Sequence, residues 1–253
     1  MPGPRCGLLV RRVAGVVDES DGRGLVAKLG RRGLILHGAT VPARPSASVL
    51  RPTPKGLFVI RILTVCTGNI CRSPLAALLL AHRMADIGVE ATSAGIRARG
   101  GDRMPVEAVE LALAEGVPTD LPNAHAARYL TEALLQDPDL VLAMDRDHRR
   151  AIVELAPGKL RATFTIREFE RLAAATSDDA IRAGATGDSP AERLRGALAV
   201  LAGQRGLVLP PADPADDDVV DPYGRSRETY ARSGAQLTPG VAAVERVVRL
   251  AVG

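Results

Sequence analysis

The chain has 253 residues, enough for one to two domains with a real core, and its 46% hydrophobic and 25% charged residues are the balance of a globular protein. No apolar run approaches the roughly 18 residues that a membrane span needs, so an integral membrane protein is excluded. Aromatic residues are only 2%, Trp is absent, and the net charge of +4 comes from 33 basic residues spread among 29 acidic ones. That composition excludes a nucleic-acid binder built on stacking or massed charge, and it leaves room for an anionic substrate.

Residues 1–56 read as an extension. They are rich in Gly, Arg and Pro and end in Pro42-Ala43-Arg44-Pro45-Ser46-Ala47-Ser48 and Arg51-Pro52-Thr53-Pro54-Lys55-Gly56, which is linker chemistry. A short strand fits Leu8 to Val17. Arg31-Arg32 ahead of the apolar stretch Leu34 to Val41 offers an export signal, but that stretch is short, broken by His37 and Gly38, and starts far from the N-terminus. The three cysteines, Cys6, Cys66 and Cys71, do not form a secreted disulfide framework by number or spacing. A reducing cytoplasm is the expected setting.

From Leu57 onward strand-like and helix-like stretches alternate. Phe58 to Val65 is a nearly continuous apolar, β-branched run, as in a strand buried on both faces. Ser73-Pro74 reads as the N-cap and first position of a helix whose apolar face carries Leu75, Leu78 and Leu79. Strands follow at 89–93, 140–143 and about 162–165, with helices at 105–115, near 131–136, at 146–155 and from Ile166. Residues 176–188 read as a polar loop, and Ser189-Pro190-Ala191-Glu192 as a capping box opening a helix that runs to Gly203. Val241, Val244, Val247 and Val248 form one face of a closing helix. The alternation predicts an α/β fold: a central four-stranded parallel sheet with helices on both faces.

The informative segment is Cys66-Thr67-Gly68-Asn69-Ile70-Cys71-Arg72-Ser73, between the first strand and the first helix of this region. Inward-pointing N–H groups of such a turn form an anion nest, and the helix dipole adds positive potential. Arg72 supplies a planar fork for two oxygens of a phosphate-like dianion. The same field favours a thiolate at Cys66. Gly68 and Asn69 tolerate the positive φ that a tight nest requires. Met144-Asp145-Arg146-Asp147-His148 invites a metal reading, but Asp145 as a helix N-cap explains it, and nothing else supplies ligands. Neither a metal nor a cofactor is expected.

Cys66 to Pro74, CTGNICRSP, resembles the signature loop of the low-molecular-weight protein tyrosine phosphatases, and Asp221-Pro222-Tyr223-Gly224 resembles that family's acid loop. The likeness covers about 58–172 and resumes over about 216–250. It implies hydrolysis of phosphotyrosine in proteins, with Cys66 as nucleophile and cysteinyl-phosphate as intermediate. Arg72 and the loop residues Thr67, Gly68, Asn69, Ile70, Cys71 and Ser73 would hold the phosphoryl group. Asp221 would serve as general acid and then base, and Tyr223 would flank the substrate ring. Asn69 would be the strained loop residue, held by a polar cluster of Ser73, Ser93 and His125. Cys71 would match a loop cysteine that traps Cys66 as a reversible disulfide.

The resemblance also marks departures. Residues 1–56 have no counterpart, leaving 57–253 as the phosphatase domain, and 173–215 reads as a helical insertion expected on the substrate rim. Gly224 stands where relatives often carry a second aromatic. Arsenate reduction is disfavoured because no cysteine follows Cys71. Phosphoarginine hydrolysis, found in relatives with Thr at the position of Ile70, and a catalytically silent phosphoprotein-binding module remain as alternatives.

Overall fold

The computed structural model describes residues 25–30, 33–38 and 60–253. The chain divides into two units, Met1–Leu50 and Arg51–Gly253. In the first, β1 (Leu25–Gly30) pairs antiparallel with β2 (Gly33–Gly38), Leu25 opposite Gly38 and Gly30 opposite Gly33. The sequence reading missed this pair and took residues 34–41 only as an apolar stretch. The strand considered at 8–17 and the linker at 42–56 lie outside the described residues.

The second unit is built on β3 (Ile60–Cys66), β4 (Val89–Gly95), β5 (Leu140–Ala143) and β6 (Thr163–Thr165), all parallel in the order β4-β3-β5-β6. Parallel strands buried on both faces need apolar residues at successive positions, and β3 and β5 supply them. Ile60, Ile62, Leu140 and Leu142 face one layer of the core, while Leu63, Val65, Val141 and Ala143 face the other. The first layer holds α1 (Arg72–Arg83), α5 (Ile166–Ala174) and the closing helix α8 (Arg227–Val252), edged by α2 (Val106–Ala114). The second holds Ile152 of α4 (Arg146–Leu155) and Leu135 of a 3-10 turn at Glu132–Leu135, where a helix was expected. A short α3 (Asp120–Ala124) was not foreseen. No helix among the described residues is long and apolar enough to cross a membrane.

Two expectations change in ways that bear on the site. The stretch read as a polar loop at 176–188 contains α6 (Asp178–Gly184), capped by Ser177, whose hydroxyl accepts from Ala180 N at 3.2 Å. It packs against α7 (Pro190–Gly203), which begins with the expected capping box. The pair does not sit on a substrate rim: α7 borders Gln136 to Asp139, at the N-terminal end of β5, whereas Cys66 lies at the C-terminal end of β3. The polypeptide following α7 then covers the edge strand: Arg205 stacks 4.2 Å from the Phe164 ring centroid and donates to Thr163 O at 2.7 Å.

Candidate active site

The loop from Cys66 to Arg72 joins the C-terminal end of β3 to α1. Asn69 takes φ 55°, the one non-glycine residue with positive φ among the described residues. Holding Asn there costs on the order of 1 kcal/mol, so the surroundings must fix it. They do so on every polar atom. Asn69 N donates to Cys66 Sγ at 3.2 Å, Nδ2 to Ser73 Oγ at 3.0 Å, and Oδ1 accepts from Arg128 N at 2.9 Å. The Asn69 carbonyl accepts from His125 Nε2 at 2.7 Å. Ser73 Oγ in turn lies 3.0 Å from Cys66 Sγ, so a main-chain amide and a hydroxyl both donate to the sulfur, an arrangement that stabilises negative charge there.

Ser73 therefore does not cap α1. The helix begins at Arg72, its N-cap position is Cys71 with no side-chain cap bond, and the Ser73 hydroxyl is spent on the sulfur and on Asn69. Ser93 also departs from its expected place: the Asn69 side chain bonds Arg128 N and Ser73, and Ser93 takes part through its carbonyl, which accepts from Arg128 Nε at 2.7 Å. Arg128 is the clamp that sequence reasoning missed. Its bonds run through a main-chain amide and to a carbonyl, and no spacing rule announces those.

Arg72 is only 4% exposed, and a guanidinium so buried needs partners. Nη1 donates to Val219 O at 2.9 Å and meets Asp145 Oδ2 at 3.4 Å, while Nη2 pairs with Asp221 Oδ2 at 3.0 Å and lies 3.4 Å from Thr67 Oγ1. Arg72 Nε is buried and has no protein partner among the described residues. Asp145 keeps its expected capping role, accepting from His148 N at 2.7 Å, and adds the contact to Arg72. Burial works to raise the Asp145 carboxyl, yet bonding and charge from His148, with Arg72 behind, hold it below its ordinary value. Buried His148 places Nε2 2.8 Å from Thr67 Oγ1, so the supposed metal motif braces the loop instead.

Burial pushes Cys71 up to about 12, against a hydrogen bond from Tyr230 that works the other way, so Cys71 stays neutral. Both cysteines are free and buried.

Cys66, Thr67, Gly68, Ile70, Cys71 and Arg72 line a cleft of about 370 Å³ with Arg97, Arg99, Asp102, Asp221 and Tyr223. Asn69 and Ser73 lie fully buried, and Ser93 and His125 stand in the shell around the loop. No residue of 173–215 lines the cleft. The Asp221 loop is brought across by Val219 N, which donates to Met144 O at 2.8 Å beyond β5, and by Val220 N, which donates to Gln236 Oε1 of α8 at 2.9 Å. Among the described residues nothing accepts from the N–H groups of Gly68, Ile70 or Cys71, which leaves these donors for an anion.

A parallel α/β sheet with cysteine, arginine and free amides in one strand-to-helix loop defines a class, the cysteine-dependent phosphoryl-transfer proteins. Comparison with known proteins narrows it. A family model described as low molecular weight phosphotyrosine protein phosphatase matches residues 61–180. The probable low molecular weight protein-tyrosine-phosphatase EpsP of Ralstonia nicotianae is 39% identical over 110 residues, 44% of this chain and 72% of that protein. A protein-arginine-phosphatase of Geobacillus stearothermophilus is 39% identical over 109 residues, 43% of this chain and 70% of that protein. The crystal structure of the low molecular weight protein tyrosine phosphatase from T. tengcongensis superposes with a TM-score of 0.50 at 28% identity, covering 74% of this chain and 97% of that one. The chain belongs to the low molecular weight protein-tyrosine-phosphatase family.

Proposed function

We propose that residues 57–253 form a phosphatase that hydrolyses phosphotyrosine in proteins, working in a reducing cytoplasm that keeps Cys66 and Cys71 as thiols. The observation that carries the reading is the convergence of Asn69 N and the Ser73 hydroxyl on Cys66 Sγ, beneath a cleft whose other groups are Arg72 and Asp221. Cys66 Sγ attacks phosphorus in line with the bond to the aryl oxygen. That bond breaks, and Asp221 gives its proton to the departing phenolate. Water then attacks the cysteinyl-phosphate, Asp221 takes the water's proton, and the S–P bond breaks to release phosphate and the thiolate. Charge on the phosphoryl oxygens is met by the loop amides and Arg72, whose unpartnered Nε is a further donor.

The ion pair between Arg72 and Asp221 bears on the order of events. A phosphoryl dianion competes with the carboxylate for the same guanidinium, so binding of the substrate releases Asp221 towards the leaving oxygen. The test is turnover of p-nitrophenyl phosphate and phenyl phosphate. Cys66→Ser abolishes both. Asp221→Asn costs about a hundredfold on the poorer leaving group and much less on the better one. Equal losses on the two would remove Asp221 from the acid role, and an active Cys66→Ser would remove the nucleophile.

One relative bears the name protein-arginine-phosphatase, which raises phosphoarginine as a second substrate. The apolar side chain of Ile70 lines the cleft and favours an aryl ring over a guanidino group. Matched phosphotyrosine and phosphoarginine peptides decide between them.

A further inference from the structure

We infer that this enzyme prefers phosphotyrosine with acidic residues on one side of it, and that Arg97 is the side chain that sets the preference; the inference rests on the phosphatase reading above. Residues 96–102 leave the end of β4 directly onto the catalytic loop. Ile96 N donates to Cys66 O at 3.0 Å and Arg97 N to Thr67 O at 2.9 Å. At its far end the segment is held by Gly101 N to Ala127 O at 2.9 Å and Ala127 N to Asp102 O at 2.8 Å. The main chain beneath Arg97 is thus fixed beside the nucleophile, and a charge on a fixed base costs little ordering when a peptide binds.

The charges around the cleft do not cancel on this wall. Arg72 is paired with Asp221 at 3.0 Å and Arg99 with Asp102 at 3.1 Å. Arg97 is exposed, lines the cleft, and has no carboxylate within 4.0 Å among the described residues. On the wall beyond Arg72 the charges are matched: Asp145 pairs with Arg72 at 3.4 Å, Asp147 with Arg150 at 3.6 Å and Asp218 with Arg146 at 3.0 Å. With the phosphate on the loop and the ring beside Ile70 and Tyr223, one flank of the peptide crosses an unpaired cation and the other meets charges already paired. Exposed pairs of this kind change rates by small factors and fade with salt.

The test uses the full chain and four substrates: p-nitrophenyl phosphate and three phosphotyrosine peptides of equal length, with neutral flanks, acidic residues before the phosphotyrosine, or acidic residues after it. In the wild type at low salt, one acidic peptide exceeds the neutral one about threefold in kcat/KM, the other does not, and the ratio falls towards one at high salt. Ratios are read within each variant, so a change common to all substrates cancels. Arg97→Glu inverts the preference, and Arg97→Gln abolishes it, which covers the case of a charge reversal that fails to fold. Equal rates on the three peptides, or a preference that survives both substitutions, would overturn the assignment. A wild type inactive even on p-nitrophenyl phosphate would sink the phosphatase reading itself.

Discussion

Asn69 shows how much chemistry rests on one backbone angle. Its positive φ turns the amide towards Cys66 Sγ, and His125 on its carbonyl keeps it there. Burial holds the His125 imidazole below its ordinary 6.5, with the Asn69 carbonyl opposing and the Arg128 charge assisting. The folded protein therefore holds this proton less readily than the unfolded chain. The stability due to neutral His125 is complete above pH 6.5 and is lost as the pH falls below that value. Urea midpoints measured across this range should drop more in the wild type than in His125→Gln, and parallel curves would contradict the linkage. At this scale the sequence was partly legible. Cys66, Arg72 and Asn69 announce themselves through spacing and context, and Asp221 through its Pro and position. Ser73 bonds Asn69 as expected, but its reading as a helix cap failed: a hydroxyl before Pro is ordinary helix-start chemistry, while its further partner, the sulfur, is seven residues back in sequence.

Elements place these residues by touching at very short range. β4 ends in Gly95, where an added Cβ would come 2.6 Å from Thr67 O and 2.8 Å from Asn69 N. Gly95→Ala should displace the loop and lower kcat/KM about a hundredfold while far-ultraviolet circular dichroism stays unchanged. A near-normal rate would mean that the loop gives way more easily than its bonds imply. β3 and β5 were readable because a doubly buried parallel strand is apolar at nearly every position, and strand 140–143 and helix 146–155 match the observed bounds. α8 was read only in its second half. Gly234, Pro239 and Gly240 argue locally against a helix, yet Leu237, Val241, Val244 and Val248 are buried in the core and packing prevails. α6 was lost to its polarity, though Ser177 ahead of Asp178 and Asp179 carried a start signal.

Across the molecule, the two ends of the sheet carry different duties. The cleft gathers where strands finish, and α7, packed on α6, borders the place where β5 starts. These two helices cross so closely that a Cβ on Gly196 would fall inside contact distance of Gly184 O. Gly196→Leu should therefore cost about 1–3 kcal/mol of stability, read as a lower thermal midpoint, and leave the discrimination among phosphopeptides as it was. A changed discrimination with an unchanged midpoint would return the insertion to the substrate's path. Distance of this kind is invisible in sequence, because a segment shortly before Asp221 along the chain can still pack at the other end of β5. The same long detour has a temporal consequence. During synthesis the Cys66–Arg72 loop leaves the ribosome far ahead of Asp221, and Val220 is tied by Gln236 to α8, which follows it. The placing of Asp221 beside Arg72 is thus tied to the docking of α8 on α1 and α5.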